Sequence, residues 1–186
     1  MGQHDAELIQ RWQRGDAAAF EALVRHWQQP VARFLARLIG RTELVQDLCQ
    51  EVFLRVYLAG PRYRETGTFS TWLYRITLNV ARDAGRRRRQ EPQAWPDQEP
   101  AAPTAPAEHL CEHNERVQAV AQAVAELPAP LREVLVLRHY EGINFEQMAR
   151  LLKVPASTLK SRFAVALNRL RERLQQLGWG PEETAS

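Results

Sequence analysis

A chain of 186 residues has room for one medium-sized domain or two small ones, and a hydrophobic fraction of 45% excludes wholesale disorder. The formal charge of only +3 conceals an asymmetry: residues 1–89 carry 15 Lys/Arg against 9 Asp/Glu, residues 90–130 carry 1 against 7, and residues 131–186 carry 9 against 6. Basic blocks flanking an acidic one suit polyanionic partners, and no uninterrupted apolar stretch approaches the ~20 residues that cross a bilayer, so membrane insertion is not expected.

The start, Met1-Gly2-Gln3-His4-Asp5, has neither a basic n-region nor an apolar h-region, which predicts a chain that stays in the cytoplasm. Leu8, Trp12, Phe20, Leu23, Val24 and Trp27 recur at three- and four-residue intervals, and Gly15-Asp16 breaks the pattern into two short helices. Glu43–Leu58 repeats it through Leu44, Leu48, Val52, Phe53 and Val56. A third stretch begins near Ser70, with Ser70 or Thr71 as N-cap, and ends in Arg86–Arg89. Cys49 and Cys111 each stand alone in a helical pattern, which predicts two free thiols.

Gln90–Glu108 holds five prolines, no glycine and no basic residue. Proline denies it a helix interior and it lacks apolar periodicity, so it reads as a flexible linker between two helical units. Beyond it, Glu112–Glu126 forms one helix, Leu127-Pro128-Ala129-Pro130 stops it, and three more helical stretches follow. No alternating run of Val, Ile and Thr supports a sheet, so the expected fold is all-α: two small helical domains joined by a linker.

Asn144–Leu170 has helix-turn-helix spacing: a short helix, a tight turn at Lys153-Val154-Pro155, and a longer helix opened by Ala156-Ser157-Thr158. Ala149 supplies the small side chain needed where two helices cross steeply. Leu151, Leu152, Val154, Leu159, Phe163 and Leu167 are the expected shared core, and Leu159, Phe163, Ala166 and Leu170 the buried stripe of the second helix. Ser157, Thr158, Lys160 and Ser161 are then left where this motif enters the major groove. A left-handed backbone at Lys153, where such turns often hold glycine, would cost on the order of 1 kcal/mol.

On the helix of the first unit, Phe69, Leu73, Ile76 and Val80 point one way and Trp72, Arg75, Asn79, Asp83 and Arg86 another. A stripe of one large aromatic, an amide and several guanidiniums can stack unpaired bases, bond their edges and hold phosphates. GDAAAFEALV, DLCQEVFLRVY, FSTWLYRITLNVARDAGRRRR and LPAPLREVLVLRHYEGINFEQMARLLKVPASTLKSR resemble, in order, the blocks of the extracytoplasmic-function (ECF) group of sigma-70 family RNA polymerase sigma factors. The resemblance covers nearly the whole chain except the linker and the last few residues.

That resemblance implies residues 1–89 as a region 2-like domain, 90–110 as linker, 111–178 as a region 4-like helix-turn-helix domain and 179–186 as a tail. It implies a core RNA polymerase partner, met through the clamp helices of its largest subunit and its flap region, with Asp47, Gln50, Glu51, Phe53 and Arg55 on the clamp-facing surface. Trp72, Arg75, Asn79, Asp83 and Arg86 fall where the family melts and reads the minus-ten element, with the loop Arg62–Thr68 placed to receive a flipped base. Ser157, Thr158, Lys160, Ser161, Arg162, Ala164 and Val165 fall on the helix that reads the minus thirty-five element. Ala164 and Val165 stand where the family often has polar or basic residues, and Asp83 where it frequently has asparagine. An anti-sigma partner that sequesters the chain, at the inner membrane or elsewhere, is a further expectation, as is an acidic linker that threads towards the RNA exit path.

The chain has no glycine-rich phosphate loop, no Gly-x-Ser-x-Gly and no His-Glu-x-x-His, so it is not expected to be an enzyme or to need a cofactor. His109, Cys111 and His113 form its one metal-like cluster, but structural zinc takes four protein ligands and no second cluster supplies the rest, so no metal is expected. The competing readings are a one-component helix-turn-helix regulator with a helical sensing or dimerisation domain, and an interaction module whose basic ends bind acidic partners or RNA. Neither accounts for the Trp72–Arg89 stripe or the order of the blocks.

Overall fold

The computed structural model describes residues 2–40, 43–64, 68–90 and 111–179. Among them every regular element is helical, and the chain divides into two compact units, residues 1–96 and 97–186. The described helices of the first unit are α1 (Gly2–Gln13), α2 (Ala17–Ile39), α3 (Val45–Ala59) and α4 (Phe69–Gln90), with a 3-10 turn at Gly60–Arg62. The second holds α5 (Cys111–Glu126), α6 (Ala129–Leu135), α7 (Phe145–Leu152) and α8 (Ala156–Gln176), with a π turn at Val136–Tyr140. Most of the linker, the centre of the loop Arg62–Thr68, and the side chains of His109, Cys111 and His113 lie outside the described residues.

Gly15-Asp16 does break α1 from α2, because the Asp16 carboxylate accepts the Ala19 N–H at 3.3 Å and caps the second helix. The second helix is not short, however: it runs 23 residues, through Pro30, to Gly40 in the left-handed conformation. An interior proline costs about 3 kcal/mol. Val31, Phe34 and Leu35, all fully buried just beyond it, offset that, at about 1.5–3 kcal/mol each. Together with Leu23, Val52, Val56, Leu73, Leu78 and Val80 they form the core of a four-helix packing. Asp5 is buried in it, accepting the Trp27 indole N–H at 3.1 Å.

The entry to α4 departs from expectation. Thr68, not Ser70 or Thr71, lies at its start: the Thr68 hydroxyl oxygen accepts the Thr71 N–H at 3.4 Å, and the helix already includes Phe69. Phe69 is buried against Trp27 at 5.9 Å between ring centres, which fixes where the helix begins. The turn before it is tied to α1. The Gln13 amide donates to the Gly60 carbonyl at 2.8 Å and the Tyr63 carbonyl at 2.9 Å, while the Trp12 indole lies against Gly60 so closely that a Cβ there would sit 1.7 Å from the ring.

In the second unit, Pro128 precedes α6 and Arg132 donates back to the Leu127 carbonyl at 2.8 Å. The π turn had no counterpart in the sequence reading; its backbone places Glu141 N–H on the Val136 carbonyl at 3.3 Å. Asn144 and Gln147 form a reciprocal capping box at the start of α7. The helix-turn-helix stands as read, and Lys153 does adopt the left-handed backbone, φ 56° and ψ 41°. Leu159 and Ala166 are fully buried and Phe163 meets Phe145 at 5.8 Å. Leu167, expected in the shared core, is instead 42% exposed, since it lies about 100° around α8 from the fully buried Ala166.

Two substitutions test these constraints. Gly60→Ala forces the Trp12 ring aside and should destabilise the first unit by about 1–3 kcal/mol in denaturant unfolding. Lys153→Gly removes left-handed strain and should stabilise the second unit by about 0.5–1 kcal/mol, read as a raised unfolding midpoint.

Candidate nucleic-acid interface

Helix α4 carries Trp72, Arg75, Asn79, Asp83 and Arg86 at three- and four-residue spacing. Arg75, Asn79 and Arg86 are exposed, whereas Trp72 and Asp83 are half-buried. The Trp72 ring rests on Tyr63, 4.6 Å between ring centres, with Phe69 at 5.6 Å behind it. Such a ring is held in one orientation with part of its surface open, as a stacking platform requires. Tyr63 was missed in the sequence; the signal was an aromatic between Arg62 and Arg64. Its carbonyl is one of the two that Gln13 holds, so α1 positions the platform.

Asp83 faces α3 at the edge of the stripe. One carboxylate oxygen accepts from Arg55 at 3.0 Å and the other from Arg86 at 2.5 Å. Arg55 also pairs with Glu51 one turn earlier on α3, and Glu51 takes Arg87 of α4 at 3.0 Å. Partial burial pushes the Glu51 carboxyl up, but hydrogen bonds and charge from Arg87 and Arg55 outweigh it and hold the group below its ordinary value. Burial likewise works against the Arg55 cation, and the Asp83 and Glu51 carboxylates overcome that.

The other side of α3 is open. Asp47 and Gln50 are exposed, while Glu51, Phe53 and Arg55 are half-buried. Leu54, Tyr57 and Leu58 continue the line of Asp47 and Gln50, each more than half exposed. The sequence reading did not single these three out; only the i, i+3, i+4 continuity with Asp47 and Gln50 could have flagged them. Large exposed apolar side chains in one stripe are the signature of a protein contact. Cys49 nearby is a half-buried free thiol whose pKa burial pushes up.

On α8, Ser157, Thr158, Lys160, Ser161, Ala164 and Val165 are exposed and Arg162 is half-buried. The Ser161 hydroxyl donates to the Ser157 carbonyl at 3.2 Å, so its free capacity is as an acceptor. The far end of this helix is clamped to α5 by a two-armed Arg173–Glu126 pair, 2.6 and 3.0 Å, which holds the Glu126 carboxyl below its ordinary value. Beside it Leu167, Leu170, Leu174 and Trp179 line a shallow apolar groove, with the Arg116 guanidinium 5.0 Å over the Trp179 ring.

Comparison with known proteins shows the family. The sigma-70 region 2 pattern matches residues 23–91 and the sigma-70 region 4 pattern residues 117–170. An RNA polymerase sigma-H factor of Pseudomonas aeruginosa is 31% identical, covering 94% of this chain and 96% of the relative. An ECF RNA polymerase sigma-E factor of Haemophilus influenzae is 32% identical over 93% and 96%. The chain belongs to the ECF group of the sigma-70 family. It is a sigma factor, the component that joins core RNA polymerase and directs promoter-specific initiation. Its fold is similar to that of CnrH, solved with the cytosolic domain of CnrY (TM-score 0.70, 22% identity, 94% of this chain and 99% of that one). It is equally similar to the sigma factor RpoE of Bartonella quintana, solved with the anti-sigma factor NepR (TM-score 0.72, 23% identity, 84% and 96%). Among the described residues of this sigma factor, no helix is long and apolar enough to cross a membrane.

The Glu51 pairing has a pH signature. Because its folded pKa lies below the ordinary 4.5, its contribution to stability is full above that value and is lost as pH falls through the lower folded value. Glu51→Gln should therefore flatten the acid limb of the first unit's stability curve below about pH 4.5 and leave its slope near neutrality unchanged, as urea unfolding across that range would show.

Proposed function

We propose that the first unit of this sigma factor captures the minus-ten element as a melted strand while the second reads the minus thirty-five element as duplex. The observation that carries this is the open stripe of α4: a fixed Trp72 ring, the Asn79 amide and the Arg75 and Arg86 guanidiniums on one exposed line. A ring backed by Tyr63 offers a π-face to an unstacked base, Asn79 has both a donor and an acceptor for a base edge, and the arginines hold phosphates. Asp83 belongs to this site through Arg86, whose guanidinium it orients. The remainder of the loop Arg62–Thr68 is assigned to the flipped base.

On α8, Lys160 is the cation aimed at a base edge, with guanine O6 and N7 its natural acceptors. Ser157, Thr158, Ser161 and Arg162 surround it, and Ala164 and Val165 present apolar surface suited to a thymine methyl. On α3, Asp47, Gln50, Glu51, Phe53 and Arg55, extended by Leu54, Tyr57 and Leu58, form the face assigned to the clamp helices of the polymerase's largest subunit, and the second unit meets the flap region. The two solved relatives of this fold were each captured with a partner, which supports an anti-sigma partner that holds this chain inactive in the cytoplasm or at the inner membrane.

Run-off transcription of fragmented host DNA by core polymerase, followed by sequencing of the products, tests the reading. Discrete start sites should appear only when the protein is added. Loss of a stacked base is worth about 1–3 kcal/mol, so Trp72→Ala should cut open-complex formation roughly 5- to 150-fold. Lys160→Ala should lose a similar amount of discrimination at one minus thirty-five position. Unchanged transcription together with specific retention of duplex by the protein alone would instead favour a one-component regulator.

A further inference from the structure

We infer that Arg55 is a positioning residue for strand capture: from α3 it neutralises Asp83, so that Arg86 and Arg87 keep a net positive charge for the phosphates of the captured strand. The inference rests on the assignment of α4 to the melted minus-ten strand and adds to it a residue that does not itself touch DNA.

The cluster contains three guanidiniums, Arg55, Arg86 and Arg87, and two carboxylates, Glu51 and Asp83, a balance of one positive charge. Within it Arg55 bonds both acids, one on its own helix and one across the seam on α4. Arg86 and Arg87 each bond one. The members differ in depth. The side chains of Glu51 and Asp83 are 28% and 29% exposed and that of Arg55 36%, whereas those of Arg86 and Arg87 are 70% and 58% exposed. The acids therefore lie against the protein and two of the cations reach outward.

Remove Arg55 and the balance falls to zero. Asp83 is then left with Arg86 and Glu51 with Arg87, two matched pairs in which each outward guanidinium is cancelled by the acid at its base. Attraction to a phosphate at Arg86 or Arg87 depends most on the charges in direct contact with those guanidiniums, because screening weakens more distant ones over a Debye length of about 8–10 Å. Arg86 would still be present and exposed but would offer a phosphate far less. Arg55 thus acts on DNA through Asp83, and its fork geometry, two arms to two acids, lets one side chain serve both helices.

A rescue experiment tests this. Full-length wild type, Arg55→Ala, Asp83→Asn, Arg55→Ala/Asp83→Asn and Arg55→Lys are compared for open-complex formation on a promoter that the wild type opens, at saturating core polymerase. Core affinity and unfolding midpoint are measured separately for each. Arg55→Ala should reduce opening roughly three- to tenfold, the scale of one screened charge at a phosphate. Adding Asp83→Asn should restore it to within about twofold, because Glu51, Arg86 and Arg87 again sum to one positive charge. Arg55→Lys, which keeps the charge, should retain most of the opening. A double variant as defective as Arg55→Ala overturns the proposal. So does an Arg55→Lys protein that folds yet behaves like the alanine variant, or a defect that weakened core binding accounts for entirely. If Arg86→Ala leaves opening unchanged in the same assay, the assignment of α4 to the strand is what fails.

Discussion

The Trp12 indole fills the space that a side chain at residue 60 would need, and the parts of the first unit proposed to face nucleic acid are positioned from that contact. It brings the 3-10 turn onto α1, where the Gln13 amide takes two of the turn's carbonyls. One of them belongs to Tyr63, whose ring backs Trp72. A base-stacking platform must be stiff, because a ring free to rotate gives up in entropy what stacking supplies. Here the stiffness comes from the helix furthest in sequence from the platform, through a glycine, an amide and three aromatic rings.

The second unit solves the same problem of presentation by a different device. A recognition helix must leave its partner at a steep angle after only three residues, and the left-handed backbone of Lys153 makes that turn. The strain is tolerated because α7 is fixed at both ends: the Asn144–Gln147 capping box at its start, and Met148 and Leu151 buried within it. At the far end of α8 the Arg173–Glu126 pair ties the helix to α5, so the exposed side chains between Ser157 and Val165 are carried on a rod braced at two points.

Most of this architecture was legible in the sequence, and the exceptions have physical causes. Helix periodicity, the proline-rich break and the helix-turn-helix spacing depend on local pattern, and they translated directly into α1 to α8. The second helix is longer than expected because the local penalty of Pro30 is outweighed by the burial of Val31, Phe34 and Leu35, a tertiary effect that no window of sequence contains. Leu167 misled for the converse reason: its apolar character and spacing fit a core, but the side of α8 that tertiary packing buries runs through Leu159 and Ala166 instead. Among the residues of the candidate site, Trp72, Asn79 and Lys160 could be found from type and spacing. The partnership of Asp83 with Arg55 and Glu51 could not, since 28 and 32 residues of chain separate groups that only the α3–α4 seam brings together.

The energetics of melting give a reason for the proposed docking stripe and the proposed strand-capturing stripe to share one small domain. Unstacking and unpairing a base costs a few kcal/mol, whereas one aromatic platform returns about 1–3. Trp72 with its neighbouring guanidiniums is therefore close to break-even by itself, and a free sigma factor built this way would hold duplex promoters closed. Binding to core polymerase through the exposed Asp47–Leu58 face of α3 would supply the deficit. A face on the helix that packs directly against α4 can do so without any moving part. The charge cluster across the seam gives that arrangement a specific content: Glu51 and Arg55, at the edge of the face proposed for the polymerase, also bond the end of α4, so the two proposed binding tasks meet in this cluster.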